Sequence, residues 1–171
     1  MMEFWNNSKQ LLFTVVTPPS LFFPISGVKI FLAGSIELGE NGWRNKAVDH
    51  ISRTWFEHEQ NNESITVYDP QRNEDWSDDL ENEQMTWDTS MISMADYIVL
   101  HLTGSSVSPI SLLEVGLFID SPKLFLSIDD SYVRSNIVKL YYSRFAQKNI
   151  YSSWVDSIDY ISMKHLTKKD F

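Results

Sequence analysis

At 171 residues, 43% hydrophobic and 13% aromatic, the chain is long enough to bury one substantial core and too apolar to be disordered. Its formal net charge of −9 repels phosphate polymers, which argues against DNA or RNA as the main partner while leaving room for one small anion held by local donors. There is no cysteine, so disulfide frameworks, thiolate metal sites and thiol enzymes are excluded, and a reducing compartment fits.

Residues 1–27 read as an N-terminal extension. Within it Leu12–Val16 has the β-branched and aromatic character of an added edge strand, and a Pro-rich connector follows. The apolar run that ends at Val16 stops before Pro18-Pro19, is too short to span a bilayer, and lacks a basic start and a cleavage site. A cytoplasmic protein with no membrane contact is the expectation. Residues 28–171 then form a single domain in which strands and helices alternate. Val28–Gly34 reads as a buried strand. Trp43, Ala47, Val48, Ile51, Trp55 and Phe56 recur at helical spacing, and that helix ends near Asn61-Asn62. Ile65–Tyr68 is the next strand, stopped by Asp69-Pro70. An acidic loop leads to a helix from about Leu80 to Ala95, and Tyr97–Leu102 is a further strand. Ser108 and Pro109 open another helix as N-cap and first helical residue. Lys123–Ile128 is a strand, Val133–Ala146 a helix, Asn149–Tyr151 a short strand and Trp154–Leu166 a last helix.

Nearly all-apolar strands alternating with helices predict an α/β fold. With right-handed crossovers this is a flavodoxin-like or Rossmann-like three-layer sandwich: a five-stranded parallel sheet, with the N-terminal edge strand as an addition. Ligands in such folds sit at the carboxyl ends of the strands, which gathers Gly34-Ser35, Asp69, Thr103–Ser108 and Asp129-Asp130 around one crevice.

Two carboxylates stand out there. The helix opened by Ser108 is apolar nearly all round and therefore expected to be buried, and its sole charged residue is Glu114, between Ile110 and Phe118 at about 100° per residue. A lone buried carboxylate costs several kcal/mol unless it is compensated, and the nearby helix N-terminus compensates only in part. Glu114 is either functional, or paired with an arginine such as Arg134, or turned outward. Asp88 projects into the apolar arc of Met85, Trp87, Met91, Ile92 and Ala95, either as a functional acid or as a cap for a neighbouring backbone segment. A carboxylate pair in one crevice suits glycoside cleavage, one group attacking the anomeric carbon and the other managing protons. The four histidines have no metal-ligand spacing, so no metal is expected, and His101 reads as a satisfied core histidine. The Gly34–Gly39 turn lacks the GxGxxG spacing and a Walker lysine.

The blocks Phe31-Leu32-Ala33-Gly34-Ser35-Ile36, Asp69-Pro70-Gln71-Arg72 with Trp76, Gln84-Met85-Thr86-Trp87-Asp88, Ala95-Asp96 and Ser108-Pro109-Ile110-Ser111-Leu112-Leu113-Glu114-Val115-Gly116 together resemble the nucleoside 2-deoxyribosyltransferase-like proteins, from about Val28 to Arg134. The resemblance implies that Glu114 is the nucleophile, forming a deoxyribosyl-enzyme that a second base or water resolves. It also implies that Asp88 assists departure of the base, that the Ser35 loop approaches the sugar or its 5′ substituent, and that no cofactor is required. The partners it implies are a small nucleoside or nucleotide and a free nucleobase. It further implies a homodimer or higher homo-oligomer in which the region after the Lys123–Ile128 strand, with Asn136, completes a neighbour's site. In family transferases acting on free nucleosides, an aspartate six residues before the nucleophile binds the 5′-hydroxyl. This sequence has Ser108 there, as do the related 2′-deoxynucleoside 5′-phosphate N-hydrolases, which tilts the expectation toward a nucleotide. Phe31 stands where those transferases carry a tyrosine that orients the nucleophile, so Tyr132 is the candidate substitute. Alongside an N-glycosidic enzyme, a non-catalytic nucleotide-binding module of the same fold remains open, as does a hydrolase of NAD-like dinucleotides.

Overall fold

The computed structural model describes residues 13–37, 42–57, 63–72, 77–146 and 150–167. Asn61-Asn62, Trp76, Gly39, Asn149 and part of the acidic loop lie outside the described residues. The elements are β1 (Phe13–Val16), β2 (Val28–Gly34), α1 (Trp43–Glu57), β3 (Ile65–Tyr68), α2 (Asp78–Met94), β4 (Tyr97–Leu102), α3 (Pro109–Phe118), β5 (Leu124–Ile128), α4 (Ser135–Phe145) and α5 (Trp154–Thr167).

The five strands form one all-parallel sheet in the order β1-β3-β2-β4-β5. The strand expected at Asn149–Tyr151 contributes a single parallel bridge, from Tyr151 to Ser127. The N-terminal strand is instead a full member, aligned on β3 with Phe13 opposite Ile65 and Val16 opposite Tyr68. Its carboxyl end is tied in by the Asp69 N–H, which donates to the Val16 carbonyl at 3.0 Å.

Every residue of β3, β4 and β5 is buried, as parallel strands covered on both faces require. Alternation along the strands divides the core in two. Phe31, Ala33, Ile98, Leu100 and Leu102 face one cluster with Trp87, Met91, Val115 and Tyr142 from α2, α3 and α4. Ile30, Leu32, Tyr97 and Val99 face the other, with Trp43, Ala47, Ile51 and Trp55 of α1 and Ile158 and Ile161 of α5. The chain leaves β2 in one direction to reach β3 and returns across it to reach β4. Right-handed crossovers therefore place α1 and α2 on opposite faces and open a crevice between the carboxyl ends of β2 and β4.

One expectation fails at α3. Its composition predicts burial all round, yet only Ser111 and Val115 are fully buried, while Ile110, Leu113 and Leu117 are exposed, Leu117 at 78%. The helix lays one side on the sheet, and no described residue covers the other. Among the described residues no helix is long and apolar enough to cross a membrane.

Candidate active site

The crevice begins at Gly34, the last residue of β2, where φ is +129°. A Cβ at this position would stand 2.0 Å from the His101 carbonyl oxygen of β4, so only glycine allows the two strand ends to approach this closely. The chain then turns through buried Ser35. The Ser35 hydroxyl accepts a hydrogen bond from the Thr103 N–H at 2.9 Å and shares another with the Ser108 hydroxyl at 2.8 Å. Ser108 is the N-cap residue of α3, as its sequence position predicts, but in left-handed conformation (φ +47°), and its side chain caps no helix N–H. The two serines thus join the loop after β2 to the start of α3.

Asp69, at the end of β3, points inward and is buried. Its carboxylate accepts the Gln71 N–H at 3.1 Å and stands 3.7 Å from Nε of Arg44. Asp88 comes from the middle of α2, where Gln84, one turn earlier, donates to it at 2.8 Å. Gln84 is itself fixed, donating to the Pro70 carbonyl at 3.1 Å and accepting from Arg72 Nε at 2.5 Å. Arg72 also donates to Glu83 at 2.6 Å. Glu114 comes from the middle of α3, partly buried, with no hydrogen bond to any described residue. Neither an outward turn nor a pairing with Arg134 describes it, since Arg134 stands exposed as the N-cap of α4.

Burial dominates the electrostatics. It pushes the Asp88 carboxyl up to about 6, against the Gln84 hydrogen bond and the Arg44 and Arg72 charges. It pushes Glu114 up to about 7, with the Asp88 charge adding to the rise and Arg44 opposing it. The two acids therefore feel each other and the same guanidinium. Asp69 is also raised by burial, against Gln71 and Arg44.

The remaining candidates fall elsewhere. Asn136 is exposed on the first turn of α4, with no hydrogen bond to the carboxylate cluster among the described residues. Asp129 lines a cavity of about 250 Å³ with Glu37, Trp43, Lys46, His101 and Trp154, and neither Asp88 nor Glu114 lines it. Asp130 is exposed and pairs with Lys139 at 2.7 Å. His101 is buried, with Nδ1 at 2.8 Å from the Ser127 hydroxyl, the satisfied core histidine expected of it. Tyr132 does not substitute for the missing tyrosine, because its hydroxyl is committed to the Val107 carbonyl at 2.6 Å. Phe31 is 0% exposed and packs on Trp87, with ring centroids 6.2 Å apart.

Reading along the sequence missed Arg44, which lies in the first turn of α1 and is 3% exposed. A signal existed. A cation in a helix's first turn opposes the helix dipole, so Arg44 needed a compensating set of acceptors.

A family profile described as nucleoside 2-deoxyribosyltransferase like matches residues 27–132, more than half of the chain. The chain belongs to that family. Among curated proteins none matches it. The matched span runs from the residue before β2 to the loop after β5. It therefore contains the whole cluster of this nucleoside 2-deoxyribosyltransferase-like protein, namely Ser35, Arg44, Asp69, Asp88, Ser108 and Glu114, and leaves out β1, α4 and α5.

Proposed function

We propose that the protein cleaves the N-glycosidic bond of 2′-deoxynucleosides or their 5′-monophosphates, as a transferase or a hydrolase, through a covalent intermediate on Glu114. A Glu114 carboxylate oxygen bonds to C1′ of the sugar as the C1′–N bond breaks, and the electron pair of that bond stays with the base. Asp88 hands its proton to the departing base. Water or a second base then attacks C1′ and frees the Glu114 carboxylate, and the proton of the incoming group returns to Asp88.

The observation that carries this reading is the meeting of two acids from successive helices, poised at about 6 and about 7, beside one buried guanidinium. Near neutrality such a pair holds a single proton between its members. In the free protein the Gln84 N–H favours charge on Asp88, which leaves the proton on Glu114. Substrate reverses the order. Positive charge developing at C1′ favours Glu114 as carboxylate, and a base nitrogen accepting a hydrogen bond favours protonated Asp88.

At the sugar end Gly34 admits close approach, and Ser35 and Ser108 supply hydroxyls. The Ser35 proton can go to the Thr103 carbonyl at 3.5 Å or to Ser108; when it goes to Ser108, the Ser108 proton is left over for a 5′-hydroxyl or 5′-phosphate at the start of α3. Asp69 supports the pocket from beneath through Arg44. Ile137, Leu140 and Tyr141 on α4 are exposed as well as the apolar residues of α3, surfaces suited to a second copy of the chain, which would bring a neighbour's Asn136 near the site.

The test incubates the protein with each deoxynucleoside and its monophosphate, with and without free base, and resolves the products by chromatography. Glu114→Ala is expected to abolish base release while the fold persists, and a deoxyribosyl adduct is expected by mass spectrometry on the unaltered protein alone. Normal turnover by Glu114→Ala removes the mechanism. A binding module without turnover is the second reading. It is favoured by Phe31, which offers no hydroxyl to Glu114, and by the engaged hydroxyl of Tyr132; binding with no product for any substrate would establish it.

A further inference from the structure

Arg44 sits where three elements of the site converge, although α1 belongs to the opposite face of the sheet from Asp88 and Glu114. Its guanidinium reaches over the carboxyl end of β2 and donates to three backbone carbonyls: Leu32 from Nε at 3.2 Å, Ser35 from Nη1 at 2.9 Å and Gly34 from Nη2 at 2.8 Å. The Trp43 indole N–H donates to the same Ser35 carbonyl at 2.9 Å, and the Arg44 guanidinium carbon lies 5.0 Å from the Trp43 ring. The charged groups facing it are Asp69 at the end of β3, Asp88 on α2, Glu114 on α3 and Glu37 after β2, with His101 of β4 as the titratable neighbour whose protonation it opposes. Burial disfavours its charge and the four carboxylates offset that in part.

We propose that Arg44 is a positioning residue of this site: its fork fixes the Gly34–Ser35 turn against the sugar, and its positive charge favours the ionised, attacking form of Glu114. The proposal rests on the reaction assigned above to Glu114. The two functions separate by charge and shape. A planar fork holding successive carbonyls gives the turn one geometry, whereas any cation in that place would support the carboxylate. The three carbonyls carry partial negative charge only, so the full charge of the guanidinium remains to offset Asp69, Asp88 and Glu114.

Arg44→Gln tests the charge, because the amide can still donate to a carbonyl. In this variant the pH at which Glu114 ionises is expected to rise by roughly one unit or more, and the acid limb of kcat/KM to move up with it, so that activity lost at pH 6.5 returns in part at pH 8. The ionisation is read directly from the carboxyl infrared or carbon NMR signal that disappears in Glu114→Gln. That readout needs no turnover, so it tests Arg44 even if every substrate proves inert and the reaction assigned to Glu114 fails. A uniform fall at all pH values, with the Glu114 signal unmoved, would make Arg44 a purely structural clamp and overturn the proposal. If Arg44→Gln does not fold, Arg44→Lys decides. With charge kept and fork lost, the Glu114 midpoint is expected within a few tenths of the original while KM rises; a midpoint raised despite the retained charge overturns the proposal.

Discussion

Replacing Glu114 by glutamine should make the protein more stable, and only above a particular pH. In the unfolded chain this carboxyl ionises near its ordinary 4.5, whereas in the native protein burial and the Asp88 charge raise it to about 7. Between those values the native state keeps a proton that the unfolded state has lost, so native stability drains away as pH rises through the window. Below about 4.5 the group contributes nothing to this difference; above about 7 the full penalty is present. The interval corresponds to about 3 kcal/mol at pH 8. Glutamine has the shape of the protonated acid and never ionises, so the penalty vanishes in the variant. Urea melts followed by tryptophan fluorescence at pH 4.5, 6 and 8 should show the two proteins nearly equal at the lowest pH. The variant should be about 3 kcal/mol more stable at the highest, or roughly 6–12 °C in melting temperature for a chain of this size. Carboxylates that do not touch the Glu114 charge cancel in the comparison, while Asp88, which adds to the rise at Glu114, contributes its share of the same pH window. A difference that stays constant across the range would mean that Glu114 is not held in a charge-hostile crevice, and the functional reading would lose its physical basis.

Asp88→Asn should slow cleavage mainly for bases that must be protonated to leave, read as a spread in kcat across bases of different leaving ability; equal slowing for all would remove its role as proton donor. Gly34→Ala should cost at least about 3 kcal/mol in a denaturant melt, because the added methyl meets the backbone of β4 and not a yielding side chain. A near-neutral result would show that the two strand ends need not approach so closely. Paired Leu113→Glu and Leu117→Glu, at positions 65% and 78% exposed, should leave the melt unchanged within about 0.5 kcal/mol while converting any oligomer to monomer by light scattering. An unaltered mass would place self-association on another surface.

The layers of the fold were legible because their causes are local. Runs such as Val28–Gly34 and Tyr97–Leu102 can be apolar at every position but Lys29 and His101 only if both sheet faces are covered, and the helical spacing of Trp43, Ala47 and Ile51 marks the side that covers one of them. Glu114 and Asp88 were legible as misfits, a carboxyl in each of two apolar surfaces. What could not be read was anything decided by a partner distant in sequence. The apolar outer side of α3 says that something covers it, but not what. Tyr132 carries the hydroxyl that Phe31 lacks, yet its direction is set by the Val107 carbonyl, 25 residues away. Arg44 looks like an ordinary polar position of α1 until the ends of β2 and β3 are brought beneath it. Tyr151 shows the same limit on a smaller scale: its segment has the composition of a strand, and pairing decides that it makes one bridge.

The balance of charge in the crevice also bears on the substrate. With Asp69, Asp88, Glu114 and Glu83 ionised against Arg44 and Arg72, the cluster would carry an excess of two negative charges in a partly buried place, and burial holds protons on it up to about pH 7. A 5′-phosphate entering beside Ser108 would add negative charge to that field and raise both acids further, so the attacking carboxylate would form only at higher pH than with a plain nucleoside. The Ser108 hydroxyl and the first turn of α3 offset part of that repulsion, but among the described residues no lysine or arginine is hydrogen-bonded to the hydroxyl of Ser108 or of Ser35, Arg44 reaching only the Ser35 carbonyl. A neutral nucleoside meets no such opposition. The serine at position 108 and the field around it thus pull in opposite directions. Among the described residues the cation that Asp88 and Glu114 share is Arg44, so the pH at which either substrate class could be attacked is expected to follow Arg44, with a neighbouring copy as the other source of positive charge across the exposed faces of α3 and α4.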